Sequence, residues 1–372
     1  MKKTDKLNIK DSKIQKKIYF FLPNPIDDGI KKTLNIYSRY FCREFEVYII
    51  TNTNLNIIEK KNIKILNPKF SYLFKSNFFN SVFCAYLLIK NVNSQSIVFS
   101  LDDHLILLVL KKLFFKFKLV LRTSNPIYNP YNKNEASYES YKGFTNKKEL
   151  FLYRYADLVI TFSEKNKKYL KNFFKVKNVE VVYNYFEKSK YKRSPKKIYN
   201  VFFIGRFVDS KDPIFFLENS IKILNKIKIK IYLVGKGDLI NKIKSIAQNY
   251  NKDIKIINFV NKPFKKFINK IDVLCITSKF DGTPNVLGEA IGANVPCIAP
   301  KNIGLSSLLL NNGKWGELYK PGNSKDFQAK LLLVLKNYKN ALKKSNLAYD
   351  GLEKFSKKNT LVRLRKFIYK II

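Results

Sequence analysis

Two acids stand on either side of a helix start in the second half of this chain. Asp281 is followed by Gly282-Thr283-Pro284-Asn285, and Glu289 comes eight positions after the first acid. Thr is a good N-cap and Pro suits the first helical position, so the pattern predicts a helix opening at Thr283-Pro284. The free N–H groups of a helix start favour an anion. Gly282, Thr283 and Asn285, with Val286 and Leu287 in the first turn, are therefore placed to hold a phosphate or diphosphate. Pro284 lacks the N–H and only shapes the turn. Asp281 and Glu289 are suited to sugar hydroxyls, the alternative being acids that merely brace a loop or cap a helix.

A second constellation lies upstream. A strand pattern over 199–204 runs into Gly205-Arg206, and Lys211 follows five residues later. Arg grips a phosphate with two parallel bonds and Lys adds a point charge. A Gly-rich turn, Gly235-Lys236-Gly237-Asp238, ends the next strand pattern. The only histidine, His104, follows Asp102-Asp103, with no second His to help hold a metal, so a local or cleft-lining role is expected of it. The chain has no D-x-D triplet, and the adjacent pairs Asp27-Asp28 and Asp102-Asp103 do not aim at one ion. Cys42, Cys84, Cys275 and Cys297 are scattered without metal spacing, as expected of free thiols in a reducing compartment.

These groups need parallel strand ends and helix starts to position them. Short β-branched and aromatic runs alternate with helical patterns throughout, which indicates α/β units with parallel sheets. Strands are expected at 17–22, 47–51, 97–100, 118–123, 158–163 and 179–184, then at 199–204, 230–235, 255–259, 273–277 and 296–300. The Lys-rich stretch Glu187 to Lys197 between the two series is the expected linker. Two Rossmann-like domains facing across a cleft follow, residues 1–190 and 191–355. The final helix, 356–372, is expected to complete the first domain.

Composition narrows the function classes. With 372 residues, 46% hydrophobic and 15% aromatic, the chain is long and apolar enough for two cores and cannot be disordered. Net charge is +43, from 71 Lys+Arg against 28 Asp+Glu, but only eight of the 71 are Arg. A lysine excess beside abundant Asn and Ile is what AT-rich coding produces over every surface, so each Arg carries more information than each Lys. Two basic-aromatic patches, Lys111 to Lys118 and Lys167 to Lys175, fit either an anionic membrane surface or a core-facing stripe with a lysine-rich outer side. Met1 to Lys17 has no apolar core of a signal peptide, and no window is apolar enough to span a bilayer. The expected location is the cytoplasm, with peripheral contact to the inner membrane face.

The C-terminal motifs resemble family 4 glycosyltransferases of the GT-B fold. Asp281 to Glu289 resembles the family's E-x7-E region with Asp in place of the first Glu, and Gly205-Arg206 with Lys211 resembles its G-R-x4-K diphosphate clamp. Gly235-Lys236-Gly237 is similar to its G-x-G turn. Phe259 and Val260 lie where the family's backbone meets the nucleotide base. Asn312-Gly313 to Gly316, then Lys320 to Asn323, resembles a further family turn. In the first half, Pro23 to Gly29 stands where members carry a Gly-Gly loop facing the donor phosphates, and only Gly29 remains. Leu121-Arg122 to Pro126 matches a strand end near the acceptor, which makes Arg122 and Asn125 acceptor-site candidates. Tyr155 to Ser163 and Val182 to Asn184 match segments that close the first domain.

The resemblance implies retaining, metal-independent and cofactor-free transfer of a sugar from a nucleotide-sugar, a UDP-sugar first and a GDP-sugar second. The acceptor would be a hydroxyl of a polysaccharide or a lipid-linked oligosaccharide in cell-surface glycan synthesis. Arg206, Lys211 and the helix start would stabilise the departing diphosphate, Glu289 would hold ribose, and Asp281 would hold the donor sugar. Two other classes remain: a basic nucleic-acid-binding protein, against which stands the lack of any nucleic-acid module, and an inactive GT-B scaffold, suggested by Asp281 and the reduced glycine loop.

Overall fold

The computed structural model describes residues 16–24, 28–52, 62–68, 76–113, 115–123, 147–189, 191–250, 252–260 and 263–372. Two parallel sheets make up the molecule. The first contains β1 (Lys17–Phe21), β2 (Glu46–Ile50), β3 (Ile63–Leu66), β4 (Ile97–Ser100), β5 (Lys118–Arg122), β6 (Leu158–Thr161) and β7 (Val179–Val181), in the order β3-β2-β1-β4-β5-β6-β7. The second contains β8 (Tyr199–Ile204), β9 (Ile229–Val234), β10 (Ile254–Ile257), β11 (Val273–Cys275), β12 (Cys297–Pro300) and β13 (Glu317–Tyr319), in the order β10-β9-β8-β11-β12-β13. β3 and β13 were not expected. Both are short edge strands, and their three or four residues carry too little periodicity to stand out.

Helices cover both faces of each sheet, so central strands such as β4 and β6 are buried throughout, as parallel sheets require. Five helices belong to the first series: α1 (Asp28–Phe41), α2 (Asn77–Asn91), α3 (His104–Lys112), α4 (Lys147–Leu152) and α5 (Glu164–Phe174). The second series has α6 (Pro213–Leu224), α7 (Ile240–Ala247), α8 (Pro263–Phe267), α9 (Asn285–Gly292), α10 (Ser306–Leu309), α11 (Ser324–Lys336), α12 (Tyr338–Gly351) and α13 (Lys357–Tyr369). Leu34, Tyr37 and Phe41 of α1 pack on one face of the first sheet, together with Leu361, Leu364 and Ile368 of α13. Cys84, Leu88, Leu107 and Leu170, from α2, α3 and α5, pack on the other face. The last helix thus lies on the first domain, where Arg365 Nε donates to both carboxylate oxygens of Glu44 at 2.9 Å.

The chain crosses between domains twice, and the crossings touch. Phe186 N–H donates to the Phe355 carbonyl at 3.0 Å, and the Tyr183 and Phe355 rings meet edge to face at 5.2 Å. Beyond this contact the first crossing lies directly on α9. A Cβ on Gly288 would stand 2.3 Å from the Phe186 ring, and one on Gly292 2.1 Å from the Glu187 carbonyl. Arg193 then fastens the linker to the second domain. Its guanidinium donates to the carbonyls of Ile268 (2.7 Å), Ile271 (2.9 Å), Ala293 (2.7 Å) and Asn294 (3.0 Å).

Candidate functional site

Ligands of open α/β sheets bind beyond the carboxyl ends of the strands, where the strand order reverses. In the second sheet that point lies between β8 and β11, and Gly205, Arg206, Lys211 and Asp281 all sit on the loops leaving those two strands. The loops are tied together. Thr277 Oγ1 donates to the carbonyls of Lys211 (3.1 Å) and Asp212 (2.9 Å), and the Lys279 N–H donates to the Ser210 carbonyl at 3.0 Å. On this frame Lys211 Nζ and Asp281 Oδ2 meet at 2.5 Å. The candidate phosphate cation and the candidate sugar-binding acid are therefore an ion pair. Arg206 is exposed and has no hydrogen-bond or ion-pair partner among the described residues. Gly235 packs backbone against backbone: a Cβ there would lie 1.9 Å from the Gly205 carbonyl oxygen. Phe259 is 54% exposed, with Lys236 Nζ 5.4 Å from its ring centre, while Val260 is half-buried beside it.

The helix at the site starts later than its sequence suggests. Pro284, not Thr283, takes the cap position, and α9 begins at Asn285. The reason is the Pro284 ψ of 83°, which lies outside the helical range, so regular geometry starts one residue on. The Pro284 carbonyl then accepts from the N–H groups of Leu287 (2.9 Å) and Gly288 (3.2 Å). The N–H groups of Asn285 and Val286 have no acceptor among the described residues and remain available to an anion. Gly282, Thr283 and Pro284 form the turn in front of them, while Leu287 faces the core.

Glu289 lies one turn into α9 and faces the first domain. Its Oε1 is 3.7 Å from Lys32 Nζ of α1, across the cleft. Burial pushes its carboxyl above the ordinary range, and Lys32 opposes that shift. Asn285 makes a second link between the domains. Asn184 Nδ2 donates to Asn285 Oδ1 at 2.8 Å, and Arg122 Nη2 donates to Asn184 Oδ1 at 2.5 Å. Arg122 is buried, with its guanidinium 5.5 Å from the Tyr37 ring centre. Arg122 was expected at the carboxyl end of a strand as an acceptor-site candidate, and it closes β5. Through Asn184 its guanidinium also supports the junction between the domains.

Gly29 is exposed in the first turn of α1, one turn ahead of Lys32. Asn125, Asp27 and Asn261 lie outside the described residues. His104 is buried at the start of α3, with Nδ1 2.7 Å from Ser100 Oγ and the Tyr153 ring edge-on at 5.8 Å. Burial holds its imidazole down to about 4, so it is neutral at pH 7, as a packing residue should be. Among the described residues no group of three or more His, Cys, Asp or Glu is placed to hold a metal ion, and no helix is long and apolar enough to cross a membrane. The four cysteines are free and buried.

Lys32, Asn184 and Tyr37 were not singled out from the sequence. Lys32 is one lysine among many, and its only signal was its place just after Gly29. Asn184 sat in a segment matched for its fold, with no hint of its two partners.

Comparison with known proteins gives partial sequence matches and a likeness of fold. Residues 199–337 match the family model for group 1 glycosyl transferases. An uncharacterized glycosyltransferase of Methanocaldococcus jannaschii is 27% identical over 201 residues, 46% of this chain and 49% of that protein. A lipopolysaccharide 1,6-galactosyltransferase of Escherichia coli is 26% identical over 103 residues, 26% of this chain and 29% of that protein. The matched segments thus span half or less of these curated relatives. Likeness of fold extends further. The structure of the Anabaena protein HepE in complex with UDP and glucose aligns with a TM-score of 0.74 at 14% identity, covering 96% of this chain and 100% of that one.

Proposed function

We propose that this chain, a GT-B protein of the family 4 glycosyltransferase type, moves a sugar from a nucleotide-sugar to a hydroxyl of a glycan or lipid-linked acceptor. The observation that carries the reading is the convergence of unpaired Arg206, paired Lys211–Asp281 and the free N–H groups of Asn285 and Val286 at one strand-order reversal. Positive groups gathered at one strand-order reversal suit a diphosphate that gains charge as it leaves. In the proposed reaction the bond from sugar C1 to the diphosphate oxygen breaks as the bond to the acceptor oxygen forms. The acceptor proton leaves with the diphosphate. Arg206 and Lys211 hold the departing phosphates, and the α9 start takes the distal one. Lys211 swings from Asp281 to phosphate, which frees the Asp281 carboxylate for a sugar hydroxyl. Glu289 binds ribose hydroxyls once Lys32 yields to the ligand, and Phe259 offers an open ring beside the base.

A UDP-sugar is the first donor to test, supported by the UDP and glucose in the HepE complex. The named substrate of the Escherichia coli relative supports a surface-glycan acceptor. Transfer is proposed to be retaining and to need neither metal nor cofactor, since the protein's own cations neutralise the leaving group. The proposed place of action is the cytoplasmic face of the membrane. The test is the melting temperature against a panel of UDP-, GDP-, ADP- and dTDP-sugars with EDTA throughout. A ligand at about 100 times its Kd adds about 2.7 kcal/mol. One nucleotide class should raise the melting temperature, and the shift should vanish in Arg206→Ala and Glu289→Ala. No shift with any donor, alongside strong stabilisation by nucleic acid, would overturn the reading.

A further inference from the structure

Exposed apolar surface is unevenly placed on this molecule. Ten of the nineteen large apolar side chains exposed among the described residues lie between Phe78 and Phe173, on the helices covering one face of the first sheet. On α2 they form a stripe at helical spacing, Phe78 (70% exposed), Val82 (38%) and Tyr86 (53%). On α3, packed beside α2, Leu105 (51%) and Val109 (41%) continue it, and Leu113 (60%) follows at the helix's C-cap. Both helices have already satisfied the core with their other faces, through Cys84, Ala85 and Leu88 on α2 and Leu107 and Leu108 on α3. Neither packing against the sheet nor lysine-rich coding explains outward Phe, Tyr and Leu side chains.

The charge at the far end of the stripe is basic, while the acids near it, Asp102 and Asp103, stand at the cleft end, where Asp103 accepts from Asn24 and Ser81. Neither α2 nor α3 contains an Asp or Glu. Lys90 closes the α2 stripe with Nζ 4.5 Å from the Tyr86 ring centre, and Lys112 and Lys116 are exposed at the far end of α3 without a salt bridge among the described residues. Lys111 and Lys118 belong elsewhere, held by Asp157 at 2.9 and 3.8 Å. Outward aromatic and aliphatic side chains rimmed by unpaired lysines match the interface of an anionic bilayer, where the apolar groups enter the acyl boundary and ammonium groups meet the headgroups. An apolar face alone suits any partner; the lysines at its far end select a negatively charged surface. The stripe also begins at the cleft. The first turn of α2 is tied to the carboxyl ends of β1 and β4, through Asn24 Nδ2 donating to the Asn77 carbonyl at 3.0 Å and Ser81 Oγ donating to Asp103 Oδ2 at 3.2 Å.

We propose that the outer faces of α2 and α3 are a docking surface for an anionic lipid bilayer. This goes beyond the transferase reading and does not depend on it. The purified chain is to be co-sedimented with vesicles of phosphatidylcholine alone and of phosphatidylcholine mixed with phosphatidylglycerol, at low and high salt. Binding is expected to the mixed vesicles only, weakened but not abolished by salt, because the apolar contribution is not screened. Each lysine near such a surface contributes a factor of about five, so Lys90→Gln, Lys112→Gln and Lys116→Gln together should lower partitioning about a hundredfold. Phe78→Ser, Val82→Ser and Leu105→Ser together should remove the salt-resistant part. As a control, Lys222→Gln, Lys226→Gln and Lys242→Gln on the second domain should change partitioning less than about fivefold. Unchanged melting temperatures would show that every variant is folded, whichever way the transferase test falls. Equal losses in the control and α2–α3 lysine sets would overturn the proposal in favour of diffuse charge. Absence of vesicle binding, with the apolar set altering self-association instead, would overturn it in favour of a contact between copies.

Discussion

The Lys211–Asp281 pair gives the sharpest test of the site. The two side chains meet at 2.5 Å and are 23% and 13% exposed. At that separation bare attraction is about 7 kcal/mol for an effective dielectric of about 20, and most of it is offset by the water both groups lose. Removing one partner of a buried pair costs about 3 to 5 kcal/mol, chiefly because the other is left without compensation. The residual exposure here puts the figure at about 2 to 3 kcal/mol. Lys211→Ala and Asp281→Ala should each destabilise by that amount in urea unfolding, and the double variant should cost about 2 kcal/mol less than their sum. Binding separates the roles. For the nucleoside diphosphate without its sugar, Lys211→Ala should weaken affinity about tenfold or more, whereas Asp281→Asn releases Lys211 and should tighten it up to about tenfold. For the intact nucleotide-sugar, Asp281→Asn should lose that gain, because the sugar's partner is gone. Additive single costs, within about 0.5 kcal/mol, would refute the pair. Weakening of sugarless nucleotide by Asp281→Asn would refute its division of labour.

Three further outcomes are expected. Arg206→Ala should leave stability within about 0.5 kcal/mol, because its side chain is exposed and unpaired, yet weaken donor binding about ten- to a hundredfold by calorimetry. Arg193→Lys should lower unfolding free energy by about 3 kcal/mol, since an ammonium cannot reach the four carbonyls the planar fork spans. Glu149 is pushed up to about 7, by burial first and then by Asp102 and Asp103. With its carboxyl raised, the folded state holds the proton more tightly than the unfolded one, so stability is lost as pH rises from about 4.5 to about 7. Glu149→Gln removes that loss, and its stability relative to the parent should climb by up to about 3 kcal/mol across the window. His104, held down to about 4, contributes the opposite slope over nearly the same range in both proteins, so the difference between them is the quantity to measure.

Much of the architecture was legible because buried parallel strands leave continuous apolar runs. Tyr199–Ile204 begins and ends where its pattern does, and β4 coincides with its expected span. Edge strands β3 and β13 were lost for the converse reason: short and each broken by a charged residue, they lack the pattern. At the site, residue types identified which groups have chemistry but not whom they face. Gly205-Arg206 and Asp281 could be placed on strand ends from local sequence, yet Lys211 and Asp281, seventy residues apart, showed no sign of meeting. The start of α9 was misjudged by one residue because Thr-Pro satisfies a helix start in isolation, while the backbone at Pro284 is turned by the fold. Scarce arginines proved informative in an unexpected sense: Arg122 and Arg193 both hold the junction between domains.

The two chain crossings, bonded to each other through Phe186 and Phe355, amount to a door hinge with two knuckles. A single flexible tether lets one domain swivel about any axis; two adjacent tethers leave mainly the swing that opens and shuts the gap between them. The first knuckle cannot slide on α9, because the glycine faces at Gly288 and Gly292 leave no side-chain cushion to compress. The swing therefore carries Asn285 and Glu289 along a fixed arc toward Asn184 and Lys32, and each return brings the same atoms back into register. Cutting the chain before α13 would remove the second knuckle and turn a guided motion into a loose one, leaving every residue of the donor site in place but no longer presented to its counterpart.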